Sequence, residues 1–227
     1  SKKQGFLKRF LDAQWAWDII QGPLYNRLIL KAASELYQLF ISAIQPPKNA
    51  RILDVGAGPG FVTLALAQEN PTVSVVGIDY SPTQVRSANR LQIRKQIQNC
   101  IFRQGNSMDL PFKDASFDIV ISLASITHWP DAKRGLQEIR RVLMPHGVAF
   151  IGEKDGDSTD GEIFRFAREF TAWYIWDRFT KWYLHRIAFK QSLSRKEAES
   201  VAKEAGFKHA FARKVLGWPY FFMELRK

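Results

Sequence analysis

Cysteine is almost absent from this chain: Cys100 stands alone. A single thiol excludes a disulfide framework and any site built from several thiolates. Cys100 opens an apolar run, so a buried, unreactive thiol is the expectation. Histidine is scarce too, and His146, His185 and His209 show no metal-ligand spacing, so no metal is expected. Stretches of about 18 consecutive apolar residues are missing, which argues against a membrane-spanning helix. The basic start of the chain is interrupted by Asp12 and Asp18, so it does not read as a signal peptide. A cytoplasmic setting follows as the expectation, with the inner face of a membrane as a peripheral site. Internal repeats and low-complexity tracts are also lacking.

Acidic residues are few: 22 against 33 Lys and Arg, for a net charge of +11. The imbalance is uneven along the chain. Before Arg51 there are seven cations and three acids, whereas residues 51–177 hold fourteen cations and fifteen acids. From Arg178 onward, twelve cations face four acids. The middle of the chain is therefore near neutral, and both flanks are basic. Such a distribution suits either an anionic partner or an ordinary solvated surface.

What the chain does have is a strand that breaks into a glycine turn, Ile52-Leu-Asp-Val-Gly-Ala-Gly-Pro-Gly-Phe61. Glycines at 56, 58 and 60 allow a sharp turn and a close approach of backbone to ligand. The helix that follows points its first amides at whatever sits there. The spacing is G-x-G-x-G after Asp54. A dinucleotide fingerprint would need its third glycine where Phe61 stands. A second apolar strand, Val73 to Ile78, ends in Asp79, where a carboxylate can accept both hydroxyls of a ribose. Asp79 could instead cap the next turn. Ser81-Pro82 has the chemistry of an N-cap and first helical position, which would leave Asp79 to the ligand.

Three later segments complete the pattern. They are Gly105-Asn-Ser-Met-Asp-Leu-Pro-Phe112 with Ser116-Phe-Asp-Ile-Val-Ile-Ser-Leu123, then His128-Trp-Pro-Asp131, then Glu138-Ile-Arg-Arg-Val-Leu-Met-Pro-His-Gly147. With the glycine turn they resemble, in order, the motifs of class I S-adenosylmethionine (SAM) dependent methyltransferases of the ubiquinone/menaquinone type. The resemblance spans residues 51–153. It implies SAM as cofactor, contacted by Asp54, Gly56, Ala57, Gly58, Gly60, Asp79, Tyr80, Asn106, Ser107, Met108 and Leu123. One departure is Asn106, where the family usually has Asp. An Asn carbonyl still accepts from an adenine amino group, and its amide donates to a ring nitrogen. The reaction implied is in-line attack of an acceptor on the activated methyl. His128 is the first candidate for a general base, or else it orients the turn that holds it. Glu153 and then Asp155 come next, because ligands bind beyond the carboxyl ends of such strands.

The elements expected are strands at 51–55, 73–78, 101–104, 117–123 and 147–153, alternating with helices at 60–69, 82–98 and 131–143. This alternation predicts a doubly wound, Rossmann-like α/β fold with a mostly parallel seven-stranded sheet. Ser194-Arg-Lys-Glu197 reads as a capping box. Phe207 to Arg213 and Trp218 to Leu225 read as closing antiparallel strands. Residues 1–48 form an N-terminal helical segment, with helices from about 3 to 20 and 25 to 44. Residues 49–227 form the SAM-binding domain, with a helical insertion after strand 5 at about 160–192.

The flanks bear on the acceptor. Phe164 to Phe189 holds ten of the chain's 30 aromatic residues, interleaved with Arg165, Arg168, Arg178, Lys181 and Arg186. It reads either as a pocket wall for an apolar acceptor or as core packing. The first helix opposes a Phe6, Leu7, Phe10, Leu11, Trp17 face to Lys8 and Arg9. That suits an anionic membrane surface or a lid over the cofactor. The expected partner is a small or lipid-like apolar acceptor, such as a quinone precursor or a phospholipid headgroup. Nucleic acid fits less well: Ser122-Leu-Ala-Ser125 stands where an N-P-P-Y type motif would be, and no cysteine is placed for pyrimidine attack. A non-catalytic SAM-binding protein is the third reading.

Overall fold

The structure, a computed structural model, describes residues 34–170 and 192–227, apart from the side chains of 167–170. The first expected helix, the start of the second, and Trp173 to Phe189 lie outside the described residues.

Alternate residues of each central strand are apolar, and both sets find cover. Ile52, Val75, Ile119 and Ile121 face one way, packed with Phe40, Ile41, Val62, Leu64, Leu66 and Ala88. Leu53, Val55, Ile78 and Val120 face the other, packed with Leu136, Ile139, Val142, Ala198 and Ala202. A strand buried on both faces is the signature of a parallel sheet between two helical layers. The first layer is α1 (Ser34–Ser42), α2 (Phe61–Glu69) and α3 (Pro82–Lys95). The second is α4 (Ala132–Val142) and α6 (Arg195–Glu204), while α5 (Asp160–Phe170) follows the fifth strand.

The strands are β1 (Arg51–Val55), β2 (Ser74–Asp79), β3 (Cys100–Gln104), β4 (Phe117–Leu123), β5 (Leu143–Lys154), β6 (His209–Lys214) and β7 (Tyr220–Arg226). They form one seven-stranded sheet in the order β3-β2-β1-β4-β5-β7-β6. The first five are parallel, and β7 runs antiparallel to both β5 and β6. The expected architecture is the observed one. The chain winds outward from β1 through β2 to β3, then restarts at β4 on the other side. That reversal leaves a crevice at the carboxyl ends of β1 and β4.

Two boundaries differ from expectation by three residues or more. Helix α3 stops at Lys95, because Gln96 takes a left-handed conformation (φ 55°) and caps it. Strand β5 begins at Leu143, which pairs with Phe117 before an irregularity realigns Val148 with Ile119. The capping box of α6 is present: Ser194 N donates to Glu197 Oε2 (2.9 Å) and Glu197 N donates to Ser194 Oγ (3.3 Å). Cys100 is buried, and burial pushes its thiol up to about 11, as suits an inert side chain. Among the aromatics of the insertion, Phe166 is core: it packs edge-on against Trp218 and Tyr220. No helix among the described residues is long and apolar enough to cross a membrane.

Candidate active site

The crevice at the β1/β4 reversal opens into a cavity of about 540 Å³, within the usual range for small-molecule sites. Its wall is built first by the glycine turn. Gly56 N and Ala57 N both donate to Ile78 O (2.9 Å each), which pins the turn to the end of β2. Gly56 has φ 80°, and a Cβ there would collide with Ser125 Oγ, so β1 and the segment after β4 meet at a glycine contact. Gly58 has φ 53°, and a Cβ on it would meet nothing within 4 Å. The space beside Gly58 belongs to the cavity, and its glycine keeps that space clear for a ligand.

Beneath the turn lies Asp54, 3% exposed, whose Oδ2 accepts from Thr63 Oγ1 at 2.6 Å. Burial pushes this carboxyl up to about 7; the Thr63 bond opposes the rise and the Asp79 charge adds to it. A carboxyl with a raised folded-state pKa holds its proton where the unfolded chain has lost it. Its contribution to stability is therefore present below the ordinary value of 3.8 and is lost as pH rises through about 7.

Asp79 stands at the cavity edge with its carboxylate already oriented. Oδ2 accepts from Gly58 N (2.8 Å) and Oδ1 from Ser81 N (2.9 Å). This corrects one expectation: Ser81 does cap α3, accepting from Gln84 N, yet Asp79 also serves the backbone. A carboxylate has about four lone-pair sites, so two backbone bonds are compatible with a ribose diol. Asn106 is likewise fixed. Its Oδ1 accepts from Met108 N (3.0 Å), which shapes the 106–109 turn, while Arg134 Nε holds Met108 O (3.2 Å).

Of the residues expected to contact the cofactor, Asp54, Gly56, Ala57, Gly58, Asp79, Tyr80, Asn106, Ser107, Met108 and Leu123 all line this cavity, as does His128. Two expected residues do not. Gly60 is outside the lining: a Cβ there would collide with the Phe102 ring, and its φ of 84° opens α2 from a left-handed N-cap. Glu153 is 1% exposed and lies off the cavity, with Oε2 accepting from Thr127 N (3.2 Å) and Oε1 from Lys154 N (2.8 Å). Its side chain points into the second helical layer, because even and odd residues of β5 take opposite faces. Asp155 is fully buried beside Arg195 Nε (3.2 Å), where it ties β5 to the start of α6.

Several site residues carried no sequence signal. Tyr37 of α1 reaches the cavity and stacks on Phe61 (centroids 6.4 Å apart, 21° between planes). Ser125 and Trp129 also line the cavity, with Trp129 Nε1 donating to Ser125 Oγ at 3.0 Å. These are tertiary contacts between elements far apart in sequence. Only Trp129, inside the His128-to-Asp131 motif, had a local marker; Asp131 itself proves to be the N-cap of α4, accepting from Arg134 N.

The comparisons with known proteins agree with this geometry. Residues 53–151 match the family described as a methyltransferase domain. The demethylmenaquinone methyltransferase of Lactiplantibacillus plantarum is 36% identical over 59% of this chain and 59% of its own length. A 2-methyl-6-phytyl-1,4-hydroquinone methyltransferase of Oryza sativa subsp. japonica is 36% identical over 45% of this chain and 28% of its own. The match thus spans less than two thirds of either relative. A SAM-dependent methyltransferase from Aquifex aeolicus shares the fold, with a TM-score of 0.64 and 16% identity over 93% of this chain and 95% of that one. The fold and the matched segment are those of a class I SAM-dependent methyltransferase domain. Residues 53–151 are thus a methyltransferase domain, and SAM is the cofactor of that class. The residues present fit that cofactor, since Gly58 leaves the wall open and Asp79 presents a carboxylate at its edge.

Proposed function

We propose that this chain transfers a methyl group to a small or lipid-like apolar acceptor of the hydroquinone or lipid-headgroup kind. The observation that carries the reading is the mixed lining of the cavity: Asp79 and Asn106 to Met108 line it together with Tyr37, Ser125, His128 and Trp129. The first set has the donors and acceptors of a nucleoside site. The second is aromatic with one imidazole, as an apolar acceptor bearing a hydroxyl requires. Both named relatives are quinone or hydroquinone methyltransferases, which supports the acceptor class.

When bound, the cofactor supplies an activated methyl on sulfonium, and its C–S electron pair stays on sulfur as the new bond forms. The chain's residues do the rest. Tyr37, Phe61 and Trp129 exclude water and hold an apolar ring near the methyl, so that alignment lowers the barrier. His128 takes the proton from an acceptor hydroxyl. Asp79 and the glycine turn fix the nucleoside.

The test is acceptor-dependent transfer of a ¹³C-labelled methyl to an alkyl-substituted 1,4-hydroquinone presented in vesicles containing anionic lipid. Label on the acceptor is expected. His128→Ala should lower kcat by about 100-fold while SAM affinity is unchanged. S-adenosylhomocysteine formed equally fast without acceptor, or no labelled acceptor, would overturn the reading.

A further inference from the structure

We infer that Glu153, buried off the cavity, is a positioning residue that holds His128 in place through the backbone of Thr127. The segment between β4 and α4 needs such an anchor. Ala124 sits in the left-handed region (φ 54°), uncommon for a residue with a side chain, and a single turn of 3₁₀ helix, Ile126–His128, follows. Strand β5 grips this segment twice. Gly152 O accepts from Ala124 N at 2.7 Å, and Glu153 Oε2 accepts from Thr127 N at 3.2 Å. From the far side, Trp129 Nε1 bonds Ser125 Oγ and its ring lies where a Cβ on Gly135 would be. Ser125, His128 and Trp129 all face the cavity from this one strap.

Among these contacts, Glu153 supplies the side-chain link from the sheet to the turn that carries the imidazole. Thr127 N, a donor in the first turn of a short helix, is the group that the Glu153 carboxylate takes up. Withdrawing the carboxylate removes this bond, and the turn that carries His128 loses its side-chain tie to β5. A shift of about 1 Å at a reacting group costs on the order of 100-fold in rate.

Glu153→Gln and Glu153→Asp test this in complementary ways. Gln has one acceptor oxygen for two backbone N–H groups and sets an amide N–H against a donor. Asp keeps both oxygens and still reaches Lys154 N, its own neighbour, but is one methylene too short for Thr127 N across the strands. The readouts are ¹⁵N-histidine NMR of the four histidines and calorimetric SAM titration. In either variant the titration midpoint of His128 should move by about half a unit or more, with His146 and His209 unmoved and SAM affinity within about threefold. The kinetic consequence rests on the methyl-transfer reading: kcat with the hydroquinone should fall about 100-fold. The inference is overturned if His128 titrates as in the parent, or if SAM affinity falls in step with activity. A parent chain that methylates no hydroquinone would sink the functional reading, while the His128 midpoint would still decide the role of Glu153.

Discussion

Asp79→Ala should weaken SAM binding by about 100-fold or more, measured by calorimetric titration of the full chain. The carboxylate makes charge-assisted bonds to Gly58 N and Ser81 N, at 2.8 and 2.9 Å. It is thus the piece that joins the glycine turn to the start of α3. A hydrogen bond to a charged group contributes about 1.5–3 kcal/mol. Losing two such bonds to a ribose diol amounts to about 3 kcal/mol at the least, or more than 100-fold. The loosened turn adds to that loss. Asp79→Asn, with one acceptor oxygen, should fall between. Glu69→Ala, on the exposed end of α2, should match the parent. An Asp79→Ala affinity within about threefold of the parent would place the nucleoside elsewhere.

The largest effect on stability should come from Arg141→Ala, at about 3–5 kcal/mol. Arg141 forks onto Glu138, Nη2 to Oε2 at 2.7 Å and Nε to Oε1 at 3.0 Å. It also donates to Leu110 O (2.9 Å), Phe112 O (2.7 Å) and Asp114 Oδ1 (2.8 Å). Glu138 is 3% exposed and accepts from Leu110 N, so removing Arg141 leaves a buried carboxylate with only the half-exposed Arg134, 3.3 Å away, as a cation partner. In a chain of this size the loss corresponds to a Tm lower by roughly 10 °C. Lys at 141 should not restore it, because an ammonium cannot fork. The hydrogen bond from Arg141 holds the Glu138 carboxyl below its ordinary 4.5. That stabilisation is therefore full above 4.5 and is lost as pH falls through the depressed value. The deficit of Arg141→Ala should shrink in acid accordingly. A Tm within about 2 °C of the parent at neutral pH would show that α4 does not brace the 110–114 loop.

The glycine turn and Asp79 were legible in sequence because their chemistry is local. Gly56, Gly58 and Asp79 are marked by residue type and by their place at strand ends, and the sheet then brings them together. Alternating β and α periodicity likewise marked the parallel strands and the helices between them. The rest of the cavity lining was not legible to the same degree. Tyr37 enters from a helix that ends before β1, and Ser125 is a serine without a motif, so only three-dimensional packing assigns them to the cavity. Glu153 shows the opposite error. Its position at the end of β5 invited a catalytic role, but strand alternation turned its side chain away from the cavity. Asp79 was read as a ligand residue or a cap, and its two backbone bonds make it part of the turn as well.

A crystal structure of the chain with S-adenosylhomocysteine tests the central claim most directly. The account predicts ribose hydroxyls on the Asp79 carboxylate, the adenine against Asn106 to Met108, and the sulfur facing Ser125 and His128. A nucleoside bound outside the Gly56–Gly58 turn, or a sulfur directed away from His128, would contradict it.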